Sequence, residues 1–152
     1  MSTIFCTPGT IAFSDGTAGL GSCTLSSGTC QLSTSTFVPG THPVTARYVP
    51  ANSGYTASTS STVNQVVNAI TTTTSVTSSA NPSILASSVT FTATVTPASA
   101  PGRVSFSDGT TGLGSCNLST GTCTLTTSAL ALGTHSITAR YEAPTGYVAS
   151  TS

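Results

Sequence analysis

Five cysteines, two histidines and three carboxylates are the side chains of this 152-residue chain that could ligate a metal or move a proton near neutral pH. His42 and His135 each follow Gly-Thr. A catalytic imidazole needs a partner acid or nucleophile, and neither histidine has one close in sequence. Both stand at the same place in a repeated segment, which points to a structural corner: a ring N–H bonded back to the backbone, as a tyrosine hydroxyl does at some sandwich corners. Asp15-Gly16 and Asp108-Gly109 are tight-turn signals, because glycine accepts positive φ and an aspartate can bond its own turn. Calcium takes six or more oxygens, several of them carboxylates. Asp15, Asp108 and Glu142, the only carboxylates, cannot build that cage twice. No G-x-S-x-G elbow, phosphate loop or dinucleotide fingerprint occurs. The expectation is no catalytic residue, no metal and no cofactor.

The cysteines are more informative. Cys23 and Cys30 share the spacing C-x6-C with Cys116 and Cys123. A two- or four-residue turn would set each pair directly opposite on adjacent antiparallel strands, within disulfide reach. Zinc needs four ligands, whereas each unit offers two cysteines with no nearby histidine. A redox dithiol reads C-x-x-C. Structural disulfides are favoured over unpaired core thiols, and they imply an oxidising compartment. Cys6 is left over, either as an intermolecular thiol or as a free half-buried one.

These residues sit in a long internal repeat. Phe13 to Cys23 matches Phe106 to Cys116 at an offset of 93. The match continues through Gly28-Thr29-Cys30, Gly40-Thr41-His42 and Thr45-Ala46-Arg47-Tyr48, and resumes near Tyr55 at an offset of 92. The second copy carries an extra front end, about 69 to 95, without counterpart in the first. The expected organisation is an incomplete unit over 1–60 lacking its first two strands, a linker over 61–69, and a complete unit over 70–152.

The second copy reads as short strands between turn signals. Val89, Phe91, Ala93 and Val95 alternate with polar residues, so one face is buried. Val104 and Phe106 do the same, as do Ile137, Ala139 and Tyr141. Helical spacing is sustained nowhere. The expected fold is all-β: immunoglobulin-like sandwich repeats, one complete and one lacking two strands.

Composition narrows the function. Ser (26) and Thr (33) exceed a third of the chain, but the many β-branched residues and the regular apolar spacing argue against disorder. The three Arg, with no Lys, form no basic patch for nucleic acid. No apolar run approaches the roughly 18 residues of a spanning helix. The segment from Met1 to Cys6 has neither the basic region nor the apolar stretch of a signal peptide, so either a signal was removed or the chain is a piece of something longer. Asn117-Leu118-Ser119 fits an N-glycosylation pattern, and Thr71 to Thr74 and Ser58 to Thr62 are compositional candidates for O-linked sugars.

The residues Val-Ser-Phe-Ser-Asp-Gly (104–109), Leu-Gly-Ser-Cys (113–116), Leu-x-x-Gly-Thr-Cys (118–123), Leu-Gly-Thr-His-Ser-Ile-Thr-Ala-Arg-Tyr (132–141) and Tyr-x-Ala-Ser (147–150) resemble the bacterial immunoglobulin-like tandem repeats of large secreted adhesins and surface proteins. The resemblance implies a seven-stranded sandwich, tandem repetition, an extracellular location and no catalysis. Family members often place Gly-Asp after the Ala-x-Tyr strand. Here Val49 to Asn52 and Glu142 to Thr145 stand instead, which weakens any calcium between repeats.

Three functions are weighed. The first is a structural subunit of an extracellular filament or cell-surface stalk. It would partner copies of itself head to tail, by strand donation, or neighbouring Ig-like repeats. The second is an adhesive or carbohydrate-binding module with a sugar or receptor ligand. That needs exposed aromatics, and Tyr55 and Tyr147 are the candidates in a chain of nine Phe and Tyr and no Trp. The third is an enzyme, which only the two histidines support. The first is expected, with no nucleic-acid partner and no membrane insertion.

Overall fold

The computed structural model describes residues 8–152; Cys6 lies outside the described residues. Every regular element among them is a β-strand. The chain divides into two compact units, residues 1–68 and 69–152.

Unit 2 is a sandwich. Its front sheet has the order β10-β7-β6, built from β6 (Thr73–Ser78), β7 (Val89–Thr96) and β10 (Thr122–Thr127). Its back sheet has the order β12-β11-β8-β9, from β8 (Arg103–Asp108), β9 (Thr111–Asn117), β11 (Ile137–Glu142) and β12 (Ser150–Thr151). All pairings within these sheets are antiparallel. Period-two alternation builds the core: Val89, Phe91, Ala93 and Val95 of β7 face Val104, Phe106, Ala139 and Tyr141 of the back sheet, all buried. No polar side chain is buried there. The one bulge in unit 2 falls in β8, between Phe106 and Ser107.

Unit 1 holds one sheet. β1 (Gly9–Asp15), β2 (Ala18–Thr24), β3 (Gly40–Pro50) and β4 (Ser58–Thr59) take the order β2-β1-β3-β4, and β5 (Val63–Val67) also pairs β3. This repeats the back sheet of unit 2, including the bulge, here between Phe13 and Ser14. No second sheet covers it among the described residues. The segment aligned with β10, residues 29–34, is not a strand, because the β7 it would pair with has no counterpart. Phe13, Ala46 and Tyr48 are therefore only half-buried, while their equivalents Phe106, Ala139 and Tyr141 are at most 1% exposed.

One boundary differs from the sequence reading. The expected linker over 61–69 contains β5, which pairs Gly40 to Val44 of β3 in register from Val67 to Val63. Val63 and Val66 are exposed. An edge strand on a sheet without a partner sheet buries neither face, so it shows no apolar alternation to read.

Candidate functional site

Each unit closes its first back-sheet hairpin with a two-residue loop. Asp15 pairs Ala18, and Asp108 pairs Thr111. Gly16 and Gly109, first in each loop, both take φ 55°, a conformation that a β-carbon disfavours. The hairpin holds the aspartate at the strand end, directly opposite the neighbouring strand: Asp108 pairs Ile137, the first residue of β11, and Asp15 pairs Val44, inside β3.

That placement brings the histidines to the aspartates. His42 Nδ1 lies 2.6 Å from Asp15 Oδ2, and its Nε2–H donates to the Val38 carbonyl at 2.8 Å. In unit 2, His135 Nδ1 lies 2.5 Å from Asp108 Oδ2, and Nε2–H donates to the Ala131 carbonyl at 3.0 Å. Both nitrogens of each ring thus face oxygen acceptors, an arrangement that suits the doubly protonated imidazolium. The carbonyl bond first, and then the carboxylate, holds each imidazole above its ordinary pKa. Phe37 stacks on the His42 ring with centroids 4.3 Å apart; Leu130 is the aligned residue in unit 2.

The aspartate expectation needs correction. Asp108 does not bond its own turn. Its Oδ1 accepts the Ser136 backbone N–H at 2.9 Å and its Oδ2 meets His135. The turn's first amide is already used: Gly109 N–H donates to the Ser136 carbonyl. The carboxylate therefore reaches across to the neighbouring strand. Each His–Asp pair clamps a hairpin tip to the neighbouring strand's leading end: to the first residues of β3 at His42, and to the loop entering β11 at His135. Neither ring nitrogen faces a hydroxyl, so the geometry supplies no activated nucleophile.

Cys23 is bonded to Cys30 and Cys116 to Cys123, each pair with Cα atoms 5.8 Å apart. Their setting differs from the expected ladder. β9 and β10 belong to different sheets, so the Cys116–Cys123 bond ties back sheet to front across an arch. Only the bridge between Ser119 and Thr122 links the arch's own limbs. Gly121 at its tip takes φ 78°, and a β-carbon there would meet Ala98 Cα at 2.6 Å. The chain crosses layers because β10 finds its pairing partner in β7 rather than β9.

A second repeated contact escaped sequence reading. The Tyr48 hydroxyl donates to the Pro8 carbonyl at 2.8 Å, and the Tyr141 hydroxyl to Pro101 at 2.6 Å. A β-carbon on Gly9 would sit 2.5 Å from the Tyr48 ring. The signal was present: Pro8-Gly9 and Pro101-Gly102 also repeat at an offset of 93.

Among the described residues no group of three metal-ligating side chains gathers, and no helix is long and apolar enough to cross a membrane. A groove of about 540 Å³ runs beside His135 in unit 2, with Val76, Phe91, Ile84 and Leu132 among its walls. His135 is its one titratable residue, and both nitrogens of that ring are already engaged.

No curated protein matches the chain. A solved structure described as fibronectin(III)-like modules of Clostridium thermocellum CbhA aligns over 99% of this chain and 80% of its own, at 16% identity and a TM-score of 0.36. The family model for the bacterial Ig-like domain (group 3) matches residues 2–68 and again 72–152. Ig-like families are generally non-catalytic, and their modules are of a structural or adhesion type. With both units matched, the chain belongs to the bacterial Ig-like domain (group 3) family.

Proposed function

We propose that this chain is a structural subunit of an extracellular filament or cell-surface stalk, in which the open face of unit 1 is completed by front strands from another copy. The carrying observation is the difference between two copies of one face. In unit 2, Phe106, Ala139 and Tyr141 lie buried beneath β6 and β7. In unit 1 the same residue types, Phe13, Ala46 and Tyr48, stand half-open. Unit 2 thus displays the shape that fits unit 1: a β6–β7 front carrying Val89, Phe91, Ala93 and Val95. An uncovered apolar face of this kind is a docking surface. Because β6 and β7 belong to a sheet of their own in unit 2, donated front strands would pack on that face and pair with residues 29–34, the segment aligned with β10. Donation from copy to copy is head-to-tail, and such contacts propagate as filaments where they do not close. Two disulfides suit an oxidising exterior, and six charged residues in the whole chain oppose close packing little.

The adhesive reading wants exposed aromatics. Tyr55 and Tyr147 are both half-buried, and Tyr147 packs against the unit 2 core.

The test is negative-stain electron microscopy of the purified chain, with and without reductant. Thin regular filaments are expected. Monodisperse single particles at every concentration would overturn the strand-donation reading.

A further inference from the structure

The outer face of the front sheet in unit 2 has a composition that its inner face does not explain. β7 pairs β10 and β6 in straight register, without a bulge. Two complete rows therefore cross all three strands: Thr122–Thr94–Ser75 and Thr124–Thr92–Thr77. The remaining outward positions of the three strands are threonine as well. The side chains stand on a net of roughly 6.8 Å along the strands, two residues, by about 4.8 Å across them. Five of the six are exposed and Thr92 is half-buried. Among the described residues only Thr122 of the six makes a side-chain hydrogen bond, to the Ser119 carbonyl at 3.2 Å. Arg103, Asp108, Arg140 and Glu142 all lie on the back sheet.

The ligand of such a face is bounded by its chemistry. With no Lys or Arg it offers no counter-charge to phosphate. It has none of the Trp, Tyr or Arg anchors that concentrate binding energy at protein interfaces. It has no aromatic platform for a sugar ring. What it offers is electrical neutrality, two-dimensional periodicity, and hydroxyls that each donate and accept, interleaved with methyl groups. The complement is an uncharged lattice of donors and acceptors with similar spacing. Crystalline water has that character.

We propose that the threonine face of the β10-β7-β6 sheet is an ice-binding surface. In this structure the face is carried by unit 2, whose own β6, β7 and β10 form it together.

The test is ice-crystal shaping and inhibition of ice recrystallisation by the full chain. It is compared with a Thr92→Lys/Thr124→Lys double variant and with Ser115→Lys, an exposed position on β9 of the other sheet. The parent chain and Ser115→Lys should facet ice and hold grain size, and the double variant should lose both effects while keeping the parent melting curve. Should the double variant unfold early, Thr94→Val, which keeps shape and removes one central hydroxyl, must weaken the effect. Rounded, unshaped crystals with the parent chain would overturn the proposal, as would full activity in the folded double variant. Binding to crystalline cellulose or chitin that the double variant loses, without any effect on ice, would overturn it in favour of a polysaccharide surface.

Discussion

At the scale of single residues, the two His–Asp clamps set a pH dependence. The carbonyl and carboxylate acceptors raise each histidine's pKa in the folded chain. A raised folded pKa means that the native state binds the proton more tightly than the unfolded one, whose histidine titrates near 6.5. The clamp's stabilisation is therefore full below about pH 6.5 and is lost as pH rises through the higher folded value. Urea unfolding across that window should show stability declining with pH, and His135→Gln should flatten the decline. An unchanged slope in the variant would show that the ring carries no such proton. The tyrosine pair makes a second residue-scale prediction. Tyr141→Phe removes a buried hydroxyl bond to Pro101 and should cost about 1 kcal/mol or somewhat more in denaturant titration. Tyr48→Phe, in the half-open unit, should cost less, because water can replace the lost partner of the Pro8 carbonyl.

At the scale of elements, each disulfide closes an eight-residue loop, Cys116 to Cys123 in unit 2. The chain-entropy estimate for a loop of that length is about 2.5 kcal/mol. Replacing both cysteines by serine should lower unit 2 stability by roughly that amount. Because the bond joins two sheets, hydrogen exchange should quicken in β10 before β8. Uniform acceleration would mean that the arch does not hold the layers together. Much at this scale was readable in the sequence. Val89 to Val95 alternated cleanly because β7 lies between two strands with one face in the core. The Asp-Gly turns were readable because only glycine tolerates that φ freely. β5 was not, since Val63, Asn64, Gln65, Val66 and Val67 bury neither face. The arch is not distinguishable from a ladder in the sequence, because C-x6-C spacing gives a separation, not the identity of each strand's pairing partner. The His–Asp contact was invisible for a similar reason. Residues 27 apart meet only through the β8–β11 register, and no local pattern encodes that register.

At the scale of the whole molecule, the two units should differ in autonomy. Unit 2 has a closed core of Val89, Phe91, Val95, Val104, Phe106 and Tyr141; in unit 1, Gly9 alone is buried among the described residues. Residues 69–152 expressed alone should melt cooperatively, and residues 1–68 alone should not, as judged by calorimetry. The most direct test of the central claim is hydrogen–deuterium exchange in unit 1 of the full chain, measured with and without a synthetic peptide spanning residues 69–96. If a donated β6–β7 front completes the open face, amides of β1 and β3 should exchange markedly more slowly with peptide present. Residues 29–34 should gain protection as a strand forms beside the newcomer. Exchange that is identical with and without the peptide, in chain held monomeric so that no neighbour already fills the face, would contradict strand donation as the way this half-sandwich is completed.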